Sequence, residues 1–158
     1  MKRSLLLLSA QILFLTAISC TDDDNSSTVD NPVTHTFTTS LMPDSGSTSK
    51  ASGAATLLLD EKTKVFQLTV TFSGLVVNAV HILTSEGTIL FELSSKSSFS
   101  PPTYYTSTPL SSSQIMELMA NHYCIKLMTT AFPNGEIGGM LTYTGTSEGG
   151  NGKPFYYE

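Results

Sequence analysis

The chain has 158 residues, of which 13% are charged, and a formal net charge of −5. This length allows one domain with a buried core and not comfortably two. The acidic balance argues against a nucleic-acid partner, which would require a basic face to contact phosphates.

Residues 1–19 have the features of a bacterial lipoprotein signal peptide. Lys2 and Arg3 precede an apolar stretch, residues 5–19, which is short for a bilayer span. The stretch runs into the sequence AISC, and small residues before a cysteine resemble a lipobox. We therefore expect cleavage before Cys20 and lipidation of its thiol with chains such as palmitate. The alternative is an ordinary secretory signal with an incidental cysteine.

Residues 20–33 form a predicted acidic tether between the anchor and the folded domain. Three aspartates, residues 22–24, follow Cys20 directly. Such a run resembles the export signal of lipoproteins that reach the outer leaflet of the outer membrane. We expect a surface-exposed outer-membrane protein whose membrane partner is reached through the lipid anchor. The alternative is periplasm-facing anchoring, with the run serving only as a solvated linker.

Strand patterns begin after the tether. In KVFQLTVTFSG, four apolar side chains alternate with polar ones over eight residues, which is typical of a half-buried strand. Similar short segments surround it, separated by turn residues. The four side chains predicted to face the core are Phe66, Leu68, Val70 and Phe72.

Residues 94–110 interrupt this pattern. Two adjacent prolines and many serines exclude an interior strand and predict an exposed loop bearing Phe99, Tyr104 and Tyr105. Rigid aromatics on a loop make this the candidate contact surface for a protein or glycan ligand. The alternative is that the aromatics cover the edge of the domain. Residues 111–121 then have helical spacing, with Ser113 as the predicted N-cap.

The segment YCIKLMTTAFPNGEIGGML predicts a closing hairpin. Asn134 and Gly135 are expected to supply the positive φ angles of a tight turn. Glu136 has no second acid nearby to form a glycosidase-like pair, so we expect it to accept hydrogen bonds that hold the turn. If Cys20 is lipidated, Cys124 is left without a disulfide partner and is expected to be a mid-strand hydrophobe.

Six or seven short strands with one helical connection predict an all-β fold. The economical architecture is a Greek-key β-sandwich of the immunoglobulin-like or superoxide-dismutase-like kind. Its predicted bounds are residues 34–144, followed by a flexible C-terminal tail, residues 145–158.

The order of these elements resembles the CHRD domain, first described in chordin and also found in bacterial secreted proteins. The match covers roughly residues 35–144 and includes ASGAATLLLD, SGL, AVHILTSEGTILFEL and a short helix. Its most specific part is FPNGEI, close to the family's F-P-x-G-E-I. The resemblance therefore implies a bacterial CHRD protein with a single domain.

The chain departs from the family pattern at the histidines. The family's A-H-I-H is replaced by VHIL, which keeps His81, and Met128 stands where another histidine is usual. Two imidazoles spaced His-x-His could grip a metal with a third ligand, whereas His81 alone cannot. We expect a non-enzymatic binding module without a cofactor. The alternative is a copper or zinc site, or redox chemistry, at His81, Met128 and Cys124.

Overall fold

The computed structural model describes residues 31–45, 47–94 and 98–149. The predicted signal peptide, Cys20 and most of the tether lie outside these residues. The described chain forms nine strands and one helix: β1 (Val33–Pro43), β2 (Ser52–Asp60), β3 (Phe66–Ser73), β4 (Ala79–Thr84), β5 (Ile89–Ser94), β6 (Thr103–Thr106), α1 (Ser112–Met119), β7 (Tyr123–Met128), β8 (Ile137–Met140) and β9 (Thr142–Glu148).

The strands form two antiparallel layers that share β1. The first sheet has the order β9-β1-β2-β3-β6, and the second has the order β5-β4-β7-β8. Strands β3 and β6, and likewise β4 and β7, are neighbours without being consecutive, because the chain crosses between the layers after β3, after β5 and after β6. The predicted all-β sandwich with one short helical connection is confirmed.

β1 joins the two sheets because its two ends have different partners. Its first part pairs with β2 and β9, whereas Met42 and Pro43 pair with β8. β8 and β9 are separated only by Leu141, which is fully buried. The last two strands therefore act as one bent strand that follows β1 from the second sheet into the first.

The core lies between the sheets and is built by alternation along the strands. The predicted face of β3, from Phe66 to Phe72, is buried, while Gln67 and Thr71 on its other face are exposed. Phe66 also packs edge-on against Phe91 of β5, with ring centroids 5.3 Å apart. This contact ties the first sheet to the second near their open edges.

Helix α1 connects the first sheet to the second and is capped two residues earlier than predicted. Ser111, rather than Ser113, is the N-cap, and its Oγ accepts a hydrogen bond from the Gln114 N–H. The Gln114 side chain in turn accepts from the Ser111 N–H, which completes a capping box. Leu118 is the helix residue that is fully buried in the core.

Two predicted boundaries need correction. The segment 94–110 is not wholly loop, since β6 lies within it as an edge strand paired with β3. The predicted tail begins too early, because β9 continues to Glu148. Residues 150–158 of that tail lie outside the described chain. Within the part that is described, no helix is long and apolar enough to span a membrane.

Candidate functional site

His81 lies on the outer face of the second sheet, the side away from the core. Its neighbours Val80 and Ile82 are fully buried and point inward, so the side chain of His81 points outward. Directly across the strands, His81 is in register with Glu92 of β5 and Lys126 of β7. The three residues form a row of ionisable side chains across β5, β4 and β7.

The row extends to the end of β1 through an ion pair. Lys126 Nζ lies 3.4 Å from Asp44 Oδ2, and His81 Nε2 lies 3.9 Å from Glu92 Oε1. The imidazole is well covered, with 14% of its side chain exposed, whereas Glu92 and Asp44 are mostly in solvent. The lysine ammonium is therefore directed away from His81 and towards the carboxylate of Asp44, just beyond the end of β1.

Glycines create the space in which the Lys126 side chain lies. A Cβ on Gly135 would be 3.0 Å from Lys126 Cδ, and one on Gly138 would be 3.0 Å from Lys126 Cγ. The aliphatic stem thus packs over the backbone of these two residues on its way to Asp44. Larger residues there would displace the stem.

The other two candidate metal ligands lie diagonally from His81. Cys124 is in register with Leu83, and Met128 is in register with Ala79. They lie two residues before and two residues after Lys126 on β7. Cys124 is half-buried and Met128 is buried. The three candidate ligands therefore share one face, but Lys126 holds the position directly opposite the imidazole.

The thiol of Cys124 is not activated by its surroundings. Burial raises its pKa, while the Lys126 ammonium acts in the lowering direction. His122, which lies just before β7 and two residues before Cys124, is hydrogen-bonded to Glu117 instead, with 2.7 Å between Nδ1 and Oε2. The arrangement gives Cys124 no base and favours the neutral thiol.

The third histidine of the chain is also engaged by its own neighbours. His35 Nδ1 is hydrogen-bonded to Thr146 Oγ1 at 3.0 Å, and Nε2 lies 3.6 Å from Glu61 Oε2. Among the described side chains, no group of three or more His, Cys, Asp or Glu is placed to hold a metal ion.

The FPNGEI turn is held by Glu136. Ser49 Oγ and Thr129 Oγ1 each donate to one of its carboxylate oxygens, both at 2.7 Å, which is the kind of contact expected from the sequence. The expected tight turn is wrong, because residues 129–136 separate β7 from β8. Gly135 has a φ of +116°, whereas Asn134 is not among the residues with positive φ.

The three aromatics of the predicted contact loop have different surroundings. Phe99 and Tyr105 are partly buried against the core, so the prediction of exposure is wrong for them. The centroid of the Tyr105 ring lies 5.9 Å from that of Phe66 and 6.4 Å from that of Phe91. In this position the ring covers the edge of the sandwich. Tyr104 points the other way and is 60% exposed.

Sequence reasoning missed the neighbours of His81, namely Glu92, Lys126 and Asp44. Lys126 did carry a signal, since a lysine between Cys124 and Met128 shares their side of an extended strand. The information that was lacking is the pairing of β4 with β7, strands separated by more than thirty positions in the chain. No local pattern specifies that pairing.

Comparisons with known proteins agree with the fold and motif. The family model for the CHRD domain matches residues 32–141, which is well over half of the chain. Neither a curated protein nor a solved structure matches the chain at a significant level. The chain belongs to the CHRD domain family.

Proposed function

We propose that this protein is a lipid-anchored component of the bacterial cell envelope whose CHRD domain is a non-enzymatic binding module. The observation that carries the binding role is the position of Lys126, which is directly opposite His81. Lys126 fills the position from which β7 could offer a ligand opposite the imidazole, and its ammonium pairs with Asp44 Oδ2 at 3.4 Å instead. The face around His81 is therefore better suited to contact than to metal chemistry.

The sequence supports the anchoring half of the proposal. The AISC motif follows a basic and apolar leader, and three aspartates follow Cys20. Together they favour acylation of Cys20 and display on the outer leaflet of the outer membrane, with periplasm-facing anchoring as the alternative. Replacing Cys20 with Ser tests this half. We expect the wild-type protein to sediment with outer membranes and the Cys20→Ser variant to be recovered in soluble fractions.

Exposed apolar side chains support the binding half. Met42 and Met140 are 57% and 46% exposed and lie on the outer face of the second sheet, beside the row of charges. Methionine side chains adapt their shape to different partners and are common at binding surfaces. Tyr104 adds an exposed aromatic side chain on the first sheet. The ligand class remains the one expected from the sequence, a protein or a glycan.

Binding is tested with the purified domain, residues 31–149, immobilised and exposed to a glycan array and to outer-membrane extract. We expect retained material that is reduced in a Met42→Ser/Met140→Ser variant or in a Tyr104→Ser variant. Val76→Ser is the matched control, because Val76 is 66% exposed in the loop after β3. Unchanged retention in both test variants would remove these surfaces from the proposal.

The alternative function, copper or zinc binding, is supported by one observation. His81, Cys124 and Met128 share the outer face of the second sheet, and Cu(I) accepts thiol and thioether ligands. Untagged protein titrated with Cu(I) and with Zn²⁺ tests it directly. Stoichiometric binding that is lost in His81→Ala would replace the contact proposal with a metal site.

A further inference from the structure

The outer face of the first sheet, the side away from the core, carries a row of hydroxyl side chains that crosses all five strands. The registers of neighbouring strands place the members of this hydroxyl row in line, and from β9 to β6 they are Thr142, Thr38, Thr56, Thr69 and Tyr104. Their side chains point outward, because chain neighbours such as Phe37, Leu57 and Val70 are buried in the core. Adjacent members are about 5 Å apart, which is the spacing of hydrogen-bonded strands.

The hydroxyl groups in the middle of the row are not used by the fold. Among the residues that the structure describes, the Oγ1 atoms of Thr38, Thr56 and Thr69 have no hydrogen-bond partner. By contrast, Thr71 Oγ1 on the same face donates to the Ala54 carbonyl at 3.3 Å. Each free hydroxyl can donate one hydrogen bond and accept others. The row therefore offers regularly spaced donors and acceptors to a molecule that lies on the sheet.

Charged side chains are absent from the described positions around the hydroxyl row. The adjacent rows consist of Thr36, Leu58, Gln67 and Thr106 on one side and Ser40, Ala54 and Thr71 on the other. Asp60, at the end of β2, is the first charged side chain on this described face, and its Oδ1 accepts from the N–H and the hydroxyl of Thr63. The second sheet differs, since Glu92 and Lys126 lie on its outer face. The first sheet therefore favours an uncharged ligand that is rich in hydroxyl groups.

A shallow groove continues this surface at the start of β2 and the end of β3. Its volume is about 330 Å³, and its lining includes the hydroxyl groups of Ser52, Thr71 and Ser73. Tyr104, at the β6 end of the row, presents a ring that is 60% exposed. An aromatic ring can pack against the C–H face of a sugar while neighbouring hydroxyls bond the sugar's own hydroxyls. The face combines both kinds of contact.

We propose that the outer face of the first sheet binds one extended chain of an uncharged polysaccharide, which lies across the strands along the hydroxyl row. This inference rests on the proposed function, because it names the ligand class and the surface of that binding module. The strand spacing of about 4.8 Å is close to the length of one sugar unit in an extended glycan, so successive units meet successive hydroxyls. Neighbouring strands are rotated by about 20–25°, which a single chain can follow and the flat face of a crystal cannot.

The test is electrophoresis of the whole native protein, kept in a detergent without a sugar headgroup, through gels that contain a polysaccharide. Hydroxyethyl cellulose, glucomannan, laminarin and dextran are uncharged probes with different linkages, and alginate is the anionic comparison. We expect at least one uncharged probe to retard the protein more strongly than alginate does. The Thr56→Val/Thr69→Val variant should bind that probe about tenfold more weakly, because two hydrogen bonds are lost while the shape of both side chains is kept.

Two controls separate the hydroxyl contacts from other effects of substitution. The Thr56→Ser/Thr69→Ser variant keeps both hydroxyls and should bind like the wild type. Thr88→Val removes an exposed hydroxyl from the β4–β5 turn of the second sheet and should also leave binding unchanged. Circular dichroism checks that all variants have the same fold.

Three results would overturn the inference: no retardation by any uncharged probe, stronger retardation by alginate than by all of them, or equal binding by the Val and Ser variants. Each would show that the hydroxyl row is not a site for an uncharged glycan. The proposed function fails separately. The binding module still stands if outer-membrane extract is retained through Met42 and Met140, and it fails if that retention is absent too.

Discussion

At the scale of single residues, Glu136 shows how one carboxylate can organise a long connection. Its two oxygens accept from Ser49 and Thr129, and its N–H donates to the Leu127 carbonyl at 2.8 Å. Ser49 belongs to the segment between β1 and β2, so the carboxylate links two loops at the same end of the sandwich. Hydrogen bonds to an ionised group are the stronger kind.

Replacing Glu136 with Ala is expected to destabilise the domain by about 2–3 kcal/mol, because it leaves the buried Thr129 hydroxyl without its acceptor. Urea unfolding followed by circular dichroism measures this difference. Glu86→Ala is the control, since Glu86 is exposed in the β4–β5 turn and its loss should change stability by less than about 0.5 kcal/mol. Equal effects of the two substitutions would contradict the structural role of Glu136.

Cys124 gives a pH prediction at the same scale. Because burial raises its pKa in the folded state, the thiolate forms more readily in the unfolded chain. In a Cys20→Ser background, we expect the pH midpoint of iodoacetamide reaction to be higher for the folded protein than in urea.

The stability consequence of that shift has a definite sign. Stability is unaffected while the thiol is neutral in both states, and it falls as pH rises above the pKa of the unfolded thiol. A Cys20→Ser/Cys124→Ala variant should lack this loss at alkaline pH. A folded-state midpoint at or below the one in urea would show that the thiol is activated instead.

At the scale of elements, helix α1 depends on its N-terminal cap. The capping box satisfies two backbone N–H groups, that of Gln114 by the Ser111 hydroxyl and that of Ser111 by the Gln114 side chain. The helix has eight residues, which is too short to be stable without caps and tertiary contacts. Its position matters, because it carries the chain from β6 in the first sheet to β7 in the second.

Ser111→Ala is therefore expected to lower the free energy of unfolding by about 1 kcal/mol. Ser112→Ala is the matched control, because Ser112 is a neighbouring exposed serine that follows the N-cap. Thermal unfolding of the two variants and the wild type provides the comparison. A larger effect of Ser112→Ala than of Ser111→Ala would mean that the cap lies elsewhere.

The limits of sequence reasoning are also clearest at this scale. Period-two alternation identified the buried face of β3 correctly, because local alternation is set by the strand itself. The edge strand β6 was missed although its residues, TYYT, favour strands, since it is only four residues long and lies inside a segment dominated by Pro and Ser. β6 pairs with the edge of β3 that β2 leaves open, and β3 is more than thirty residues away in the chain, so no local pattern predicts the pairing. The row from Glu92 to Lys126 was missed for the same reason.

At the scale of the whole molecule, β1 makes the two sheets one cooperative unit. Its start is hydrogen-bonded within the first sheet and its end pairs with β8 of the second. Leu41 lies just before the change of partner and is fully buried among residues from both layers. A defect at that point should weaken both sheets together, because neither has a separate core.

Replacing Leu41 with Ala is expected to destabilise the domain by about 2–5 kcal/mol through the lost contacts and the cavity left behind. Leu58→Ala is the matched control, because Leu58 is 39% exposed on β2 and should cost less than about 1 kcal/mol. Native-state hydrogen exchange measures the effect separately in β3 of the first sheet and β4 of the second. Since unfolding of either sheet exposes the shared core, the slowest amides of both strands should lose protection by the same factor. Loss of protection in β3 with unchanged protection in β4 would show that the sheets unfold independently.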